Sequence, residues 1–300
     1  MQVSNFKEEN INEEVLYFIY SPIYYRITIF CFFLSDYNPL KEDKNNDSWV
    51  YSYLDYSKLH KYSTGETQTI ALIDSGVSKS QETTENLSLI NSKTDENGHG
   101  TMMYSIIKGY KHDILGISPD ANIFSIKILG EDESISPNKI AEAIDLAIKH
   151  KATIINLSVA SYKYNERIAE SIKKANDKNI TIVASSGDYS DVEMMFPANM
   201  KEVISVGALD KKSKPLDMTS GAEFTTINAP GKNVETLGLD NKVFASSGTS
   251  QATAIISGYI ALLRDYGDRK DINISNNDIK KDLNLIKNGK QSYSTIFELY

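Results

Sequence analysis

The chain has 300 residues, 41% hydrophobic and 24% charged, which is enough apolar material for one large domain with an appendage or for two domains. It is long enough to bury about three quarters of its unfolded surface, so it needs no staples, and its single cysteine, Cys31, excludes an internal disulfide framework. A formal net charge of -8 without any basic block argues against nucleic acid as a partner and leaves a cationic partner favoured by long-range steering.

Residues 1–14 hold one Lys against four Glu. A secretory signal opens on positive charge, so none is expected here. The apolar run over residues 15–34 has the length of a membrane span. Arg26 near its middle, Pro22 within it and a Tyr-, Phe- and Ile-rich composition argue instead for two buried strands, at about residues 16–20 and 27–34, turning at Ser21-Pro22. The expected protein is therefore cytoplasmic, with no membrane segment. Cys31 is expected in a buried apolar role. A charged stretch with Pro39, residues 38–48, marks a boundary. It separates an N-terminal extension, residues 1–48, from a main domain, residues 49–300. Nothing repeats along the chain.

From residue 69 onward, short apolar runs alternate with helical patterns. Strands are expected at 69–73, 123–128, 153–157, 180–184 and 203–206. Ser136-Pro137 opens a helix, with Ser at the N-cap and Pro at the first helical position. Ile140, Ala143, Ile144, Ala147 and Ile148 form its apolar stripe. A second helix is expected over 166–177. Near-continuous apolar strands alternating with helices predict an α/β fold, with a parallel sheet covered on both faces. Ligands of such sheets bind beyond the carboxyl ends of the strands.

Three positions there carry chemistry. Asp74 ends the first of these strands, in Asp74-Ser75-Gly76. His99 stands in Asn97-Gly98-His99-Gly100-Thr101 ahead of an apolar helical pattern. Ser250 stands in Ser247-Gly248-Thr249-Ser250-Gln251-Ala252, where a helix begins that runs through Ile255, Ile256, Tyr259, Ile260 and Leu263. Alone, each reads as a turn or capping residue. Together they are the parts of an activated nucleophile: a hydroxyl, a base, and a carboxylate that orients the base. The chain order Asp, His, Ser is the order of subtilisin.

These three segments, with Ile70-Ala71-Leu72-Ile73 leading into the first, resemble the aspartate, histidine and serine motifs of the subtilisin-like serine proteases, the subtilases. The resemblance covers roughly residues 49–263 and implies a three-layer α/β/α sandwich with a mainly parallel sheet, preceded by a short β-rich appendage. It implies a serine endopeptidase with Asp74 as orienting carboxylate, His99 as general base and Ser250 as nucleophile. It also implies that Ser158, Val159 and Ala160 pair with the substrate main chain and form one wall of a specificity pocket. Ser185, Ser186 and Gly187 would form the opposite wall. Phe196-Pro197-Ala198 and the stretch from Val203 to Ala208 match the family as well.

The sequence also departs from the family. Asp188 stands where subtilases carry an oxyanion-binding Asn; one branch of the related proprotein convertases has Asp there too. A neutral Asp188 could donate to the oxyanion, whereas an ionised one would repel it. Gln251, Ala254 and Ile255 replace the usual Met, Pro and His, and Gln251 is expected near the substrate. Ala160 replaces a glycine. Met195 is expected at the base of a shallow pocket of narrow tolerance. Asp95 and Glu96 are expected at the surface or in substrate steering. Subtilases often bind calcium, but no ligands are assignable here and no cofactor is required. His60, His112 and His150 match no motif.

A short subtilase of this kind resembles the lantibiotic leader peptidases. That resemblance implies a leader-bearing precursor peptide as substrate, acted on by a monomer with no nucleic-acid or membrane partner. The alternatives are a general intracellular subtilisin-like protease and a peptide-binding pseudoprotease.

Overall fold

The computed structural model describes residues 27–28, 48–130 and 134–300. In chain order, strand β1 (Ile27–Thr28) precedes helices α1 (Trp49–Leu54) and α2 (Tyr56–Tyr62). Strands β2 (Thr69–Asp74) and β3 (Glu85–Ser88) lead to α3 (His99–Lys108) and the small hairpin β4 (Gly109–Tyr110) and β5 (Ile114–Leu115). Next come β6 (Asn122–Lys127), β7 (Ser134–Ile135), α4 (Pro137–Lys149), β8 (Ile154–Leu157), α5 (Glu166–Asn176) and β9 (Thr181–Ser185). The chain closes with β10 (Val203–Leu209), β11 (Ile227–Pro230), the hairpin β12 (Val234–Leu237) and β13 (Val243–Ser246), α6 (Thr249–Arg269), α7 (Asn276–Lys287) and a 3-10 turn (Thr295–Leu299).

Seven strands form one sheet in the order β11-β10-β9-β8-β2-β6-β3, with every neighbouring pair parallel. All five strands expected from residue 69 onward lie in it. They are mostly apolar because both faces are covered. Side chains alternate across β2: Ile70 and Leu72 join one core with Val183, Ile204, Val206, Ile255, Ile256 and Ile260. Ala71 and Ile73 point the other way, into a core with Ile126, Ile155, Ile182, Ile140, Ile144, Ile168 and Ile172. A one-residue slip of β2 would exchange these two sets. The result is the expected three-layer sandwich, with α3 and α6 on one face and α4 and α5 on the other. Strand order reverses around β2, so Asp74 ends the strand at the switch point, where a crevice opens in such sheets.

The helix starts are set locally. Pro137 occupies the first turn of α4, as its fixed φ favours, although Ser136 makes no side-chain cap bond. Asn165 caps α5 by accepting the Ile168 N–H at 3.1 Å. Ser275 and Asp278 form a reciprocal capping box at α7. Ser275→Ala is expected to cost about 1 kcal/mol and to lower the thermal midpoint by about 2–4 °C, read from a circular-dichroism melt; an unchanged midpoint would mean that the box adds nothing.

The strand expected at 16–20, most of that expected at 27–34, the boundary stretch up to residue 47, and Cys31 lie outside the described residues. Within the second of these strands, β1 pairs antiparallel with β7, Ile27 opposite Ile135 and Thr28 opposite Ser134. Among the described residues, no helix is long and apolar enough to cross a membrane.

Candidate active site

The sheet delivers Asp74 to the carboxyl end of its central strand, and α3 begins on His99. Both side chains are 2% exposed. The His99 Nδ1 lies 2.8 Å from Asp74 Oδ1 and 2.9 Å from Oδ2. A carboxylate only accepts, so Nδ1 carries a proton, and in the neutral ring the lone pair is left on Nε2. The Ser75 N–H donates to Asp74 Oδ1 at 2.7 Å and holds the carboxylate in place. This is the arrangement that makes a histidine a base of fixed tautomer.

Ser250 is the second residue of α6, which packs beside α3. The first N–H groups of a helix have no partner within it, and they carry the positive end of its dipole. One of them, the Thr249 N–H, donates to Asp188 Oδ1 at 2.9 Å. Asp188 follows Gly187 at the end of β9. Burial pushes its carboxyl above the ordinary aspartate range, while the Thr249 N–H and hydroxyl, and the nearby His99, pull in the opposite direction. The structure thus gathers the ends of β2 and β9 and the starts of α3 and α6 at one end of the sheet.

The residues expected to wall a specificity pocket follow β8 and β9. Ser158 and Val159 are buried beyond β8, and Ser185, Ser186 and Gly187 are buried at the end of β9. Asn156 ties the first wall to α6: its Nδ2 donates to Ser158 Oγ at 3.3 Å and its Oδ1 accepts from Ser257 at 2.9 Å. The segment Met195-Phe196 links the stretches that follow β8 and β9. The Met195 N–H donates to Ser186 O at 3.0 Å, and Phe196 exchanges backbone bonds with Ser161 at 2.8 and 2.9 Å. A Cβ on Gly187 would lie 2.6 Å from Met195 Sδ, so the thioether packs directly over the Gly187 backbone. A side chain there would push the thioether aside, and the φ of +107° favours glycine.

One expectation changes. Asp95 is not at the surface: it is 4% exposed and accepts five hydrogen bonds around the start of α3. Glu96 is exposed but paired, 2.9 Å from the Nζ of the buried Lys127, and this contact with a second bond from Ser92 holds its carboxyl below the usual range. Gln251 is buried: its Nε2 donates to Ser246 Oγ at 2.9 Å at the end of β13, while a Cβ on Gly248 would lie 2.8 Å from its Oε1 and 3.1 Å from Asp188 Oδ2. The signal for Asp95 was in the sequence: an Asp just ahead of a helix start accepts the free N–H groups that follow it.

Among the described residues, no three His, Cys, Asp or Glu side chains converge as a metal site, so none is assigned to calcium. His60 contacts Ile117 O at 3.0 Å and His150 lies 3.2 Å from Glu85, both away from Asp74.

Comparison with known proteins places these features. The profile described as the Subtilase family matches residues 65–284. The minor extracellular protease Epr of Bacillus subtilis is 31% identical over 210 residues, 67% of this chain and 32% of that protein. The thermostable alkaline protease of Halalkalibacterium halodurans is 27% identical over 244 residues, 79% of this chain and 66% of that protein. The chain thus spans about a third of the first relative and just under two thirds of the second. Among solved structures, the prenylagaramide maturation protease PagA shares the fold, with a TM-score of 0.67 and 24% identity over 77% of this chain and 86% of that one.

Proposed function

Because the chain belongs to the subtilase family, we propose that it is a serine endopeptidase in which Asp74, His99 and Ser250 work as orienting carboxylate, base and nucleophile. The observation that carries this reading is the buried Asp74–His99 pair, 2.8 Å apart, set beside a helix that opens on Ser250. In the reaction, Ser250 Oγ attacks the scissile carbonyl as His99 Nε2 takes its proton. His99 then gives that proton to the leaving amine. Water, deprotonated by the same imidazole, releases the acyl group. Asp74 stays ionised and stabilises the imidazolium.

The oxyanion forms at the start of α6, where the Ser250 N–H is a donor. Asp188 supplies the second donor when protonated: one oxygen already accepts the Thr249 N–H, which leaves the other to carry the proton. Burial favours that neutral form.

With Met195 as its floor, the specificity pocket would take only a small side chain ahead of the cut. A narrow site of this kind suits one junction in one partner better than general digestion. We read the substrate as the leader-bearing precursor of a lantibiotic, processed in the cytoplasm; a cationic leader would suit a net charge of -8. Met195→Gly should open the floor, and should raise kcat/KM for quenched peptides with Phe or Leu before the cut by roughly tenfold relative to Ala. An unchanged ratio would remove Met195 from the pocket.

Incubation with a leader-bearing lantibiotic precursor and with casein, read by mass spectrometry, tests the substrate. One cut at the leader junction with casein intact is expected. Casein cut at many sites would favour a general intracellular protease. Binding of the precursor without cutting would favour a pseudoprotease, the reading to which an ionised Asp188 would lead.

A further inference from the structure

The residues that follow Asp74 and His99 are hydrogen-bonded to each other. The Gly100 N–H donates to Ser75 Oγ at 2.8 Å. The Ser75 hydroxyl in turn donates to Asp95 Oδ1 at 2.9 Å. The two backbones touch at this point, since a Cβ on Gly100 would lie 2.0 Å from Gly76 O.

Asp95 does more than cap α3. A cap needs only the N–H groups at the helix start, and Asp95 takes these from Asn97 at 3.0 Å, Gly98 at 2.8 Å and Thr101 at 2.9 Å. It also takes the Thr101 hydroxyl at 2.6 Å. The fifth bond, from Ser75, is different in kind. It leaves the helix and reaches the turn that carries Asp74. An ionised carboxylate offers about four lone-pair sites, and here every one is engaged.

Lys127 braces the same loop from the other side. It is the register partner of Asp74 on the neighbouring strand. Its fully buried ammonium donates to Thr94 O at 2.5 Å and to Glu96 at 2.9 Å, the residues on either side of Asp95.

We propose that Asp95 is a positioning residue that, through Ser75, fixes the angle and distance at which Asp74 meets His99. This rests on the protease reading above, because it presumes that the Asp74–His99 bond serves the reaction. In this view the bonds to Asn97, Gly98 and Thr101 keep α3 folded, and the bond to Ser75 keeps the base aligned.

Ser75→Ala separates these roles, since it removes the cross-link and leaves all four bonds from Asp95 to α3. Asp95→Asn breaks both. Ser275→Ala, in the remote capping box of α7, is the control for lost stability alone. Two readouts apply to the full chain. One is the rate at which a fluorophosphonate labels Ser250. The other is the low-field proton resonance of His99 Nδ1–H, which needs no reaction. We expect Ser75→Ala to label roughly 10- to 100-fold more slowly and to shift or broaden the His99 resonance. Ser275→Ala should lower the thermal midpoint and change neither readout. Wild-type labelling rates and an unmoved resonance in Ser75→Ala would overturn the proposal, even if Asp95→Asn failed to fold. So would a slowing in Ser75→Ala no greater than Ser275→Ala shows for the same loss of midpoint. A wild-type protein that labels no serine would instead overturn the protease reading, and the His99 resonance would still report on Asp95.

Discussion

Ser250→Ala is expected to lower peptide hydrolysis by roughly 10⁶-fold, the size measured when subtilisin loses its serine, with little change in the thermal midpoint. The loss is large because the rest of the site is built around one hydroxyl. Without Oγ, His99 has no proton to take, and the Asp74–His99 bond at 2.8 Å has nothing to act on. What survives is the residual catalysis of the oxyanion site and substrate binding. The account also predicts non-additivity. His99→Ala should cost about as much as Ser250→Ala, and the double variant should be no slower than either. Multiplied effects in the double variant would show that the two residues act independently. Intact-mass kinetics on a cleaved precursor or quenched peptide would read all three rates.

Asp188→Asn is expected to raise the rate at alkaline pH. In the wild type, two protonation demands conflict. His99 must be neutral to act as a base, which requires a pH above its pKa. Asp188 must be protonated to donate to the oxyanion, and that form is lost as pH rises through its own pKa. Burial lifts that pKa, whereas a protonated His99 and the Thr249 donors lower it, so the two titrations are coupled. The expected profile of kcat/KM is a narrow bell, falling on the alkaline side. An Asn amide donates at every pH. The variant should lose the alkaline limb and reach a plateau. At alkaline pH its gain should approach the ~10²–10³ that one oxyanion donor is worth in subtilisin. Identical profiles for the two proteins would place Asp188 outside the oxyanion site.

The parts of this fold written in apolar runs were readable from the chain. Ile70 to Ile73, Ile154 to Leu157 and Ile182 to Ala184 are buried on both faces, so their composition alone marks them as central strands. Strand β3 carries no such mark. Its sequence, Glu-Asn-Leu-Ser, sits half-exposed at the sheet edge, where nothing selects for apolar residues. Strand β11 escaped for a related reason: it ends on Ala229-Pro230, and a proline is tolerated only because this strand too is an edge.

The site divides in the same way. Asp74, His99, Asp188 and Ser250 were legible because each follows a strand or opens a helix within a recognisable local pattern. Asp95 was misread because its burial depends on Ser75 and Thr101 folding around it, and a single charged residue in a polar loop looks exposed. The bond from Gln251 to Ser246 was not legible, because Ser246 lies on the preceding hairpin and the pairing is set by tertiary contact rather than by helical position. Lys127 reads as an ordinary strand end in sequence. Its burial becomes intelligible only when Thr94 O and Glu96 are seen to accept its hydrogen bonds.

The central claim is that His99, held by Asp74, activates Ser250. Treating the full-length protein with a fluorophosphonate, then measuring intact mass and mapping the adduct, tests it most directly. The account predicts a single adduct on Ser250, absent in Ser250→Ala and slowed by orders of magnitude in both His99→Ala and Asp74→Ala. No adduct on the wild type, or labelling of Ser250 that is indifferent to His99, would contradict it.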